Sequence, residues 1–227
     1  VTQGKYAPRN SYSAIVLHIT GYGPVGQYKS GRYKSPMDAA VGIYQRMPYA
    51  PHYVIDQDGI IVQMCPEELA TWHVGGSNGR RYTGAWAATK FKWWADKWSG
   101  LGSPRELAAG KLWQPYPPDA LKGPLKYFRK LYWASRHGSV NANTIGIEVI
   151  PPSSNPKATW SLDVWRAVVQ LCQDISHRRG TSLDAHHLIS HSDADPISRT
   201  TRSGEPWDTW SSQFSYGRFV VQARNLV

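Results

Sequence analysis

Residues 13–20 read SAIVLHIT. Ile15, Val16, Leu17 and Ile19 form a near-continuous apolar run, the pattern of a central strand. His18 interrupts it. A histidine in a buried strand is ordinarily a hydrogen-bonded core residue, so His18 alone signals no chemistry. Gly21, Tyr22, Gly23 and Pro24 end the strand. Downstream, a helix is expected over about residues 36–47, with Ser35 as N-cap and Pro36 at the first helical position. Residues 52–55 (HYVI) and 60–63 (IIVQ) flank DQDG, whose Asp-Gly pair marks a hairpin turn. Residues 143–150 (NTIGIEVI) predict the next strand. On it Thr144, Gly146 and Glu148 point one way, and Ile145, Ile147 and Val149 the other. Pro151 and Pro152 stop it.

An amphipathic helix is expected over residues 162–179, capped by Ser161 and ended by Gly180. Its apolar positions are Leu162, Trp165, Val168, Val169, Leu171, Cys172 and Ile175, and His177, Arg178 and Arg179 fill its last turn. Residues 183–190 read as a short buried strand, followed by a long polar loop. A helix over about residues 213–225 closes the chain. This order predicts an α/β fold, a central mixed β-sheet flanked by α-helices.

At 227 residues with 41% hydrophobic content, one domain or one domain plus a large insertion is expected, with a sizeable core. Residues 79–142 carry the insertion: a basic, Trp-rich stretch and then a series of prolines, too broken for a core of its own. Its aromatic and basic residues either line a groove or glue a loop to the core; the sequence favours neither. The chain is therefore read as one domain spanning residues 1–227. Lys and Arg number 26 against 16 Asp and Glu, so the net charge of +10 predicts attraction to a polyanion without choosing which. Eleven Trp and thirteen Tyr, against four Phe, suit surfaces that stack on sugars. Cys65 and Cys172 lie apart in apolar surroundings and read as buried thiols. No 18-residue apolar run or signal peptide is visible, so no membrane insertion is expected.

Residues 186–208, HHLISHSDADPISRTTRSGEPWD, concentrate histidines and carboxylates at the end of a predicted strand. A strand that ends in His and runs into a polar loop can fix one metal ligand and fold back to bring another. His18, Glu148 and His191 each lie in or at the end of a predicted strand of one sheet. If those strands are neighbours, two histidines plus a loop carboxylate can hold zinc, with Glu148 beside the open position as base.

With these residues in view, the chain resembles the zinc-dependent N-acetylmuramoyl-L-alanine amidases of type 2, the peptidoglycan-recognition-protein-like family. The matches are IVLHIT, HYVIDQDGIIVQ, TWHVGG, NTIGIEV and HSDADP, in that order along nearly the whole chain. The resemblance implies an open groove holding Zn2+, with the long insertion elaborating it. It implies His18 and His191 as metal ligands, Glu148 as catalytic base, and Trp72, His73 and Asn143 as substrate-binding residues. The third ligand departs from the family pattern of Asp or Cys directly before Pro. Glu205 precedes Pro206, whereas Asp208 has the usual chemistry but follows Pro206 and Trp207; Asp208 is favoured, and His187 or Asp193 come next. Arg202, or otherwise Arg199, replaces a basic residue that faces the developing oxyanion.

The implied reaction is hydrolysis of the amide between N-acetylmuramic acid and L-alanine. The implied partner is bacterial peptidoglycan, not nucleic acid, and the expected state is a monomer. A phage endolysin would pass from the host cytoplasm to the cell wall; an autolysin would be extracellular or wall-associated. The alternative is a member of the same fold that binds peptidoglycan without cutting it, having lost a metal ligand. A nucleic-acid-binding reading rests on charge and tryptophans only and leaves the His and Glu placement unexplained.

Overall fold

The computed structural model describes residues 7–8, 12, 14–21, 23–47, 49–74, 140–152, 159–184, 187–191 and 216–225. The central apolar run forms β2 (Ala14–Ile19), buried along its whole length. It follows a two-residue strand, β1 (Ala7–Pro8). Two helices come next, α1 (Gly23–Lys29) and α2 (Pro36–Tyr44). The hairpin strands are β3 (Tyr53–Ile55) and β4 (Ile61–Gln63), followed by β5 (Leu69–Ala70). At the end of the expected insertion and after it lie α3 (Val140–Asn143), β6 (Thr144–Val149) and α4 (Leu162–Arg179). The last elements are β7 (Leu188–Ser190) and α5 (Tyr216–Asn225).

Among the described residues, five strands form one mixed sheet in the order β4-β3-β6-β2-β7, and β1 pairs with β5 in a separate antiparallel ribbon. Within the larger sheet only the β3–β4 hairpin is antiparallel; β2 pairs in parallel with β6 and β7, and β3 with β6. The predicted neighbours are therefore neighbours, and β2 is central because its apolar residues serve both faces. On one face Ile15, Leu17, Ile145, Ile147, Val149, Ile55 and Leu188 pack against Val164, Trp165, Val168, Cys172 and Ile175 of α4. On the other, Val25, Met37, Ala40 and Tyr44 of α1 and α2 pack on Val54 and Ile150, and Val16 lies with Ile189 and Val74.

Local chemistry explains the boundaries. In α2, Ser35 accepts from the Asp38 N–H (3.0 Å) and Pro36 starts the helix. In α4, Ser161 accepts from Val164 N–H (3.2 Å), and Gly180, at φ 69°, closes the helix with its N–H on the Ser176 carbonyl. The hairpin turn is held by Asp56, whose carboxylate accepts from Asp58 and Ile60 N–H. Gly59 in that turn has φ 77°, and a Cβ there would lie 2.7 Å from the Asp163 carbonyl of α4. Ser161 Oγ also donates to the Gln57 carbonyl, so the hairpin docks on the start of α4.

Several expectations need correction. Helix α2 ends at Tyr44 rather than near residue 47, in a cap at Gln45. Strand β6 starts at Thr144, because Asn143 ends the single turn of α3. Strand β7 covers only Leu188–Ser190, because the Asp184 carboxylate and carbonyl accept from the His187 and Leu188 N–H groups and form a turn first. Leu162 is 51% exposed, not a core position, while Val164 and Ala167 are buried instead. Helix α1 was not expected. Gly23 and Pro24 read as breakers, yet Pro near a helix start loses no needed hydrogen bond, and Val25 anchors the helix on the core. The predicted insertion lies outside the described residues up to residue 139. Cys65 and Cys172 are both buried thiols. Among the described residues, no helix is long and apolar enough to cross a membrane.

Candidate active site

The parallel register sets His18 of β2 opposite Glu148 of β6. Both follow the period of two that separates them from the Ile and Val side chains under α4. His191 directly follows β7, the other neighbour of β2, and shares the alternation that puts Ile189 on the same face. His18 and His191 are almost wholly buried, and the Glu148 side chain is 12% exposed. His18 Nδ1 lies 2.7 Å from His191 Nδ1 and 4.0 Å from Glu148 Oε1. A carboxylate and two imidazole nitrogens thus converge from three adjacent strands.

A second layer stands behind His18. Its Nε2 is 3.1 Å from His73 Nδ1, and His73 Nε2 is 3.2 Å from the Thr144 carbonyl and 3.1 Å from Thr144 Oγ1. The His73 ring sits directly over Gly146; a Cβ there would come within 2.3 Å of it. Asn141 of α3 holds the segment in place, accepting from His73 and Val74 N–H and donating to the Val74 carbonyl. His52 completes the row. Its Nδ1 accepts from Gly146 N–H, its Nε2–H donates to the Leu69 carbonyl (both 3.0 Å), and its ring meets His73 edge-on at 5.5 Å.

The expected residues therefore divide. His18, Glu148 and His191 come together. His73 is buried at 7% exposure behind His18, Asn143 is buried at 2%, and Trp72 between Thr71 and His73 is 52% exposed. His187 turns away from the cluster to pair with Asp184 at 2.6 Å. Asp193, Arg199, Arg202, Glu205 and Asp208 lie outside the described residues. Among the described residues no group of three or more His, Cys, Asp or Glu is set to hold a metal. The two imidazole nitrogens fit a zinc ion: neutral His is a standard ligand, the two nitrogens meet on one sheet face, and the far nitrogen of His18 has an outer partner.

Sequence reasoning missed His52, Asn141, and the roles of Thr144 and Gly146. His52 carried a signal like that of His18, a histidine in line with an apolar strand. Gly146, small within a run of branched residues, marked a close approach. Asn141 had no signal, because its partner segment lies 67 and 68 residues earlier.

The model of the N-acetylmuramoyl-L-alanine amidase family matches residues 8–205. That span contains His18, His73, Glu148 and His191 and stops short of Asp208. No curated protein matches the chain. A solved structure of a selenomethionine derivative of AmpD is similar at 15% identity, over 98% of this chain and 92% of that one, with a TM-score of 0.50. The N-acetylmuramoyl-L-alanine amidase LysC from Clostridium intestinale URNW aligns at 12% identity over 99% and 93%, with a TM-score of 0.47.

Proposed function

The chain belongs to the N-acetylmuramoyl-L-alanine amidase family, and on that premise we propose that it is a zinc-dependent peptidoglycan amidase. Its reaction would cut the amide between the lactyl group of N-acetylmuramic acid and the L-alanine of the stem peptide. One observation carries this reading: His18 Nδ1, His191 Nδ1 and the Glu148 carboxylate converge on one sheet face.

His18 and His191 would hold the zinc, with Asp208 as the third ligand. When bound, zinc supplies a Lewis acid beside the scissile carbonyl and makes a nearby water more acidic. Glu148, at the edge of that site and 12% exposed, takes the proton from the attacking water and returns it to the departing amine of alanine. Arg202 donates hydrogen bonds to the oxygen that gains charge. Exposed Trp72 offers a face for a sugar or peptide, and the +10 charge draws the protein to an anionic wall. A phage endolysin acting on the host wall is the biological setting we propose.

The second reading, a non-cutting peptidoglycan binder, is favoured by one observation: the residue directly before Pro206 is Glu205 rather than the Asp or Cys of the family pattern. Zinc content separates the two. The wild-type protein should hold one zinc per chain. His18→Ala, His191→Ala and Asp208→Ala should each lose it at a moderate chelator concentration, while Glu205→Ala keeps it. A metal-free wild type favours the binder. A metal-free Glu205→Ala beside a loaded Asp208→Ala moves the third ligand to the acid before Pro206.

A further inference from the structure

A metal ligand must present a lone pair, and an imidazole has only one of its two nitrogens bare in each neutral tautomer. At His18 the nitrogen facing His191 and Glu148 is Nδ1. The proton must then sit on Nε2, which faces His73 Nδ1 at 3.1 Å.

The assignment can be followed one ring further back. His73 Nε2 lies 3.2 Å from the backbone carbonyl of Thr144, a group that only accepts. Two lone pairs facing each other would repel, so His73 Nε2 carries a proton. The Thr144 hydroxyl beside it, at 3.1 Å, can turn either way and does not alter this. In the neutral His73 ring, Nδ1 then keeps its lone pair and accepts from His18 Nε2–H.

We propose that the Thr144 carbonyl, acting through His73, locks His18 in its Nε2–H tautomer, so that its Nδ1 lone pair is held ready for the metal. His73 is thus a positioning residue for the metal ligand, beyond its expected place on the substrate groove. The inference rests on the amidase reading for its purpose, but the tautomer itself does not need zinc.

The fold protects this relay. Asn141 clamps the backbone of His73 and Val74 with three hydrogen bonds. Gly146 leaves the volume that the ring occupies. His52 takes the Gly146 N–H and closes the other side of the His73 ring.

The test compares His73→Asn with His73→Leu. Asparagine can place its carbonyl oxygen where Nδ1 lies and still accept from His18, although it fills the space poorly. Leucine fills the space but cannot accept. Nitrogen-15 NMR of the histidine rings in the metal-free proteins reads the tautomer, and chelator competition reads zinc affinity. The expected result is an Nε2–H tautomer for His18 in wild type and in His73→Asn. His73→Leu should lose that preference and bind zinc roughly 10–100-fold more weakly, the usual cost of removing an outer partner of a metal ligand. Thermal melts check that each variant folds. An Nδ1–H tautomer in the wild type overturns the inference. So does a His73→Leu protein that folds with the wild-type tautomer and affinity. A wild type with the expected tautomer but no zinc affinity leaves the relay standing and sinks the amidase reading instead.

Discussion

Glu148 is one carboxylate on a strand whose other face is entirely apolar, 4.0 Å from His18 Nδ1. A carboxylate placed there is costly unless it has work to do. Under the proposed mechanism that work is proton transfer, so Glu148→Gln should leave zinc bound and the melting curve unchanged. Hydrolysis of peptidoglycan should fall by roughly 10²–10⁴-fold, the usual contribution of a positioned base. Turnover close to wild type in a zinc-loaded Glu148→Gln protein would remove Glu148 from the chemistry. The residue scale is also where the sequence was most informative about the site. His18 and Glu148 stood out because polar side chains broke apolar strands, and the strand period alone assigned Glu148 to the face away from Ile145, Ile147 and Val149. The layer behind them was not legible. Asn141 and Thr144 are ordinary polar residues until the fold brings residue 73 against them.

At the scale of elements, the chain was legible wherever one local rule settled the outcome. Helix α4 begins and ends at the expected residues because Ser161 and Gly180 satisfy its terminal groups. Helix α1 and the ribbon of β1 and β5 were missed, since each is too short for a periodic pattern and is held by what it packs on. The β3–β4 hairpin combines both cases. Its Asp-Gly turn was visible, but not its contact with α4. That contact gives a test using two glycines of similar positive φ. Gly180→Ala has nothing within 4 Å of the new methyl and should cost about 1–2 kcal/mol for the left-handed backbone alone. Gly59→Ala bears the same penalty and also drives its methyl toward the Asp163 carbonyl. Urea denaturation should therefore show Gly59→Ala as clearly the less stable of the two. Equal stabilities would mean that the hairpin does not rest on α4.

Across the whole molecule, an ion cluster fastens the segment after β4 to the end of α4. Glu67, 1% exposed, accepts from Arg178 (2.7 and 3.0 Å), Arg179 (2.6 Å) and the Tyr53 hydroxyl (2.6 Å), and Arg179 also pairs with Glu68. Burial pushes the Glu67 carboxyl upward, but the hydrogen bonds from Arg178, Tyr53 and Arg179 outweigh it and hold its pKa below the ordinary carboxylate value. Burial, with Glu67 alongside, pushes the Tyr53 phenol up, so it stays a donor. A carboxyl whose pKa is lowered by folding contributes stability above its unfolded pKa of about 4.3 and loses it as pH falls through the folded value. Glu67→Gln should therefore cost roughly 1–3 kcal/mol at pH 7, the cost of weakening a buried polar cluster. Its deficit relative to wild type should shrink as pH is lowered from about 5 toward 2. A deficit that stays constant over that range would show that the ionised carboxylate contributes nothing. The sheet held by such contacts brings His18, Glu148 and His191 together, and cleavage of the wall amide is what that convergence is proposed to perform. Digestion of purified peptidoglycan with the zinc-loaded protein tests this most directly, by identifying new amino termini and new reducing ends in the products. Amidase action should give new N-terminal alanine and no new reducing ends. Reducing ends without alanine termini, or a protein that sediments with the wall and releases nothing, would contradict it.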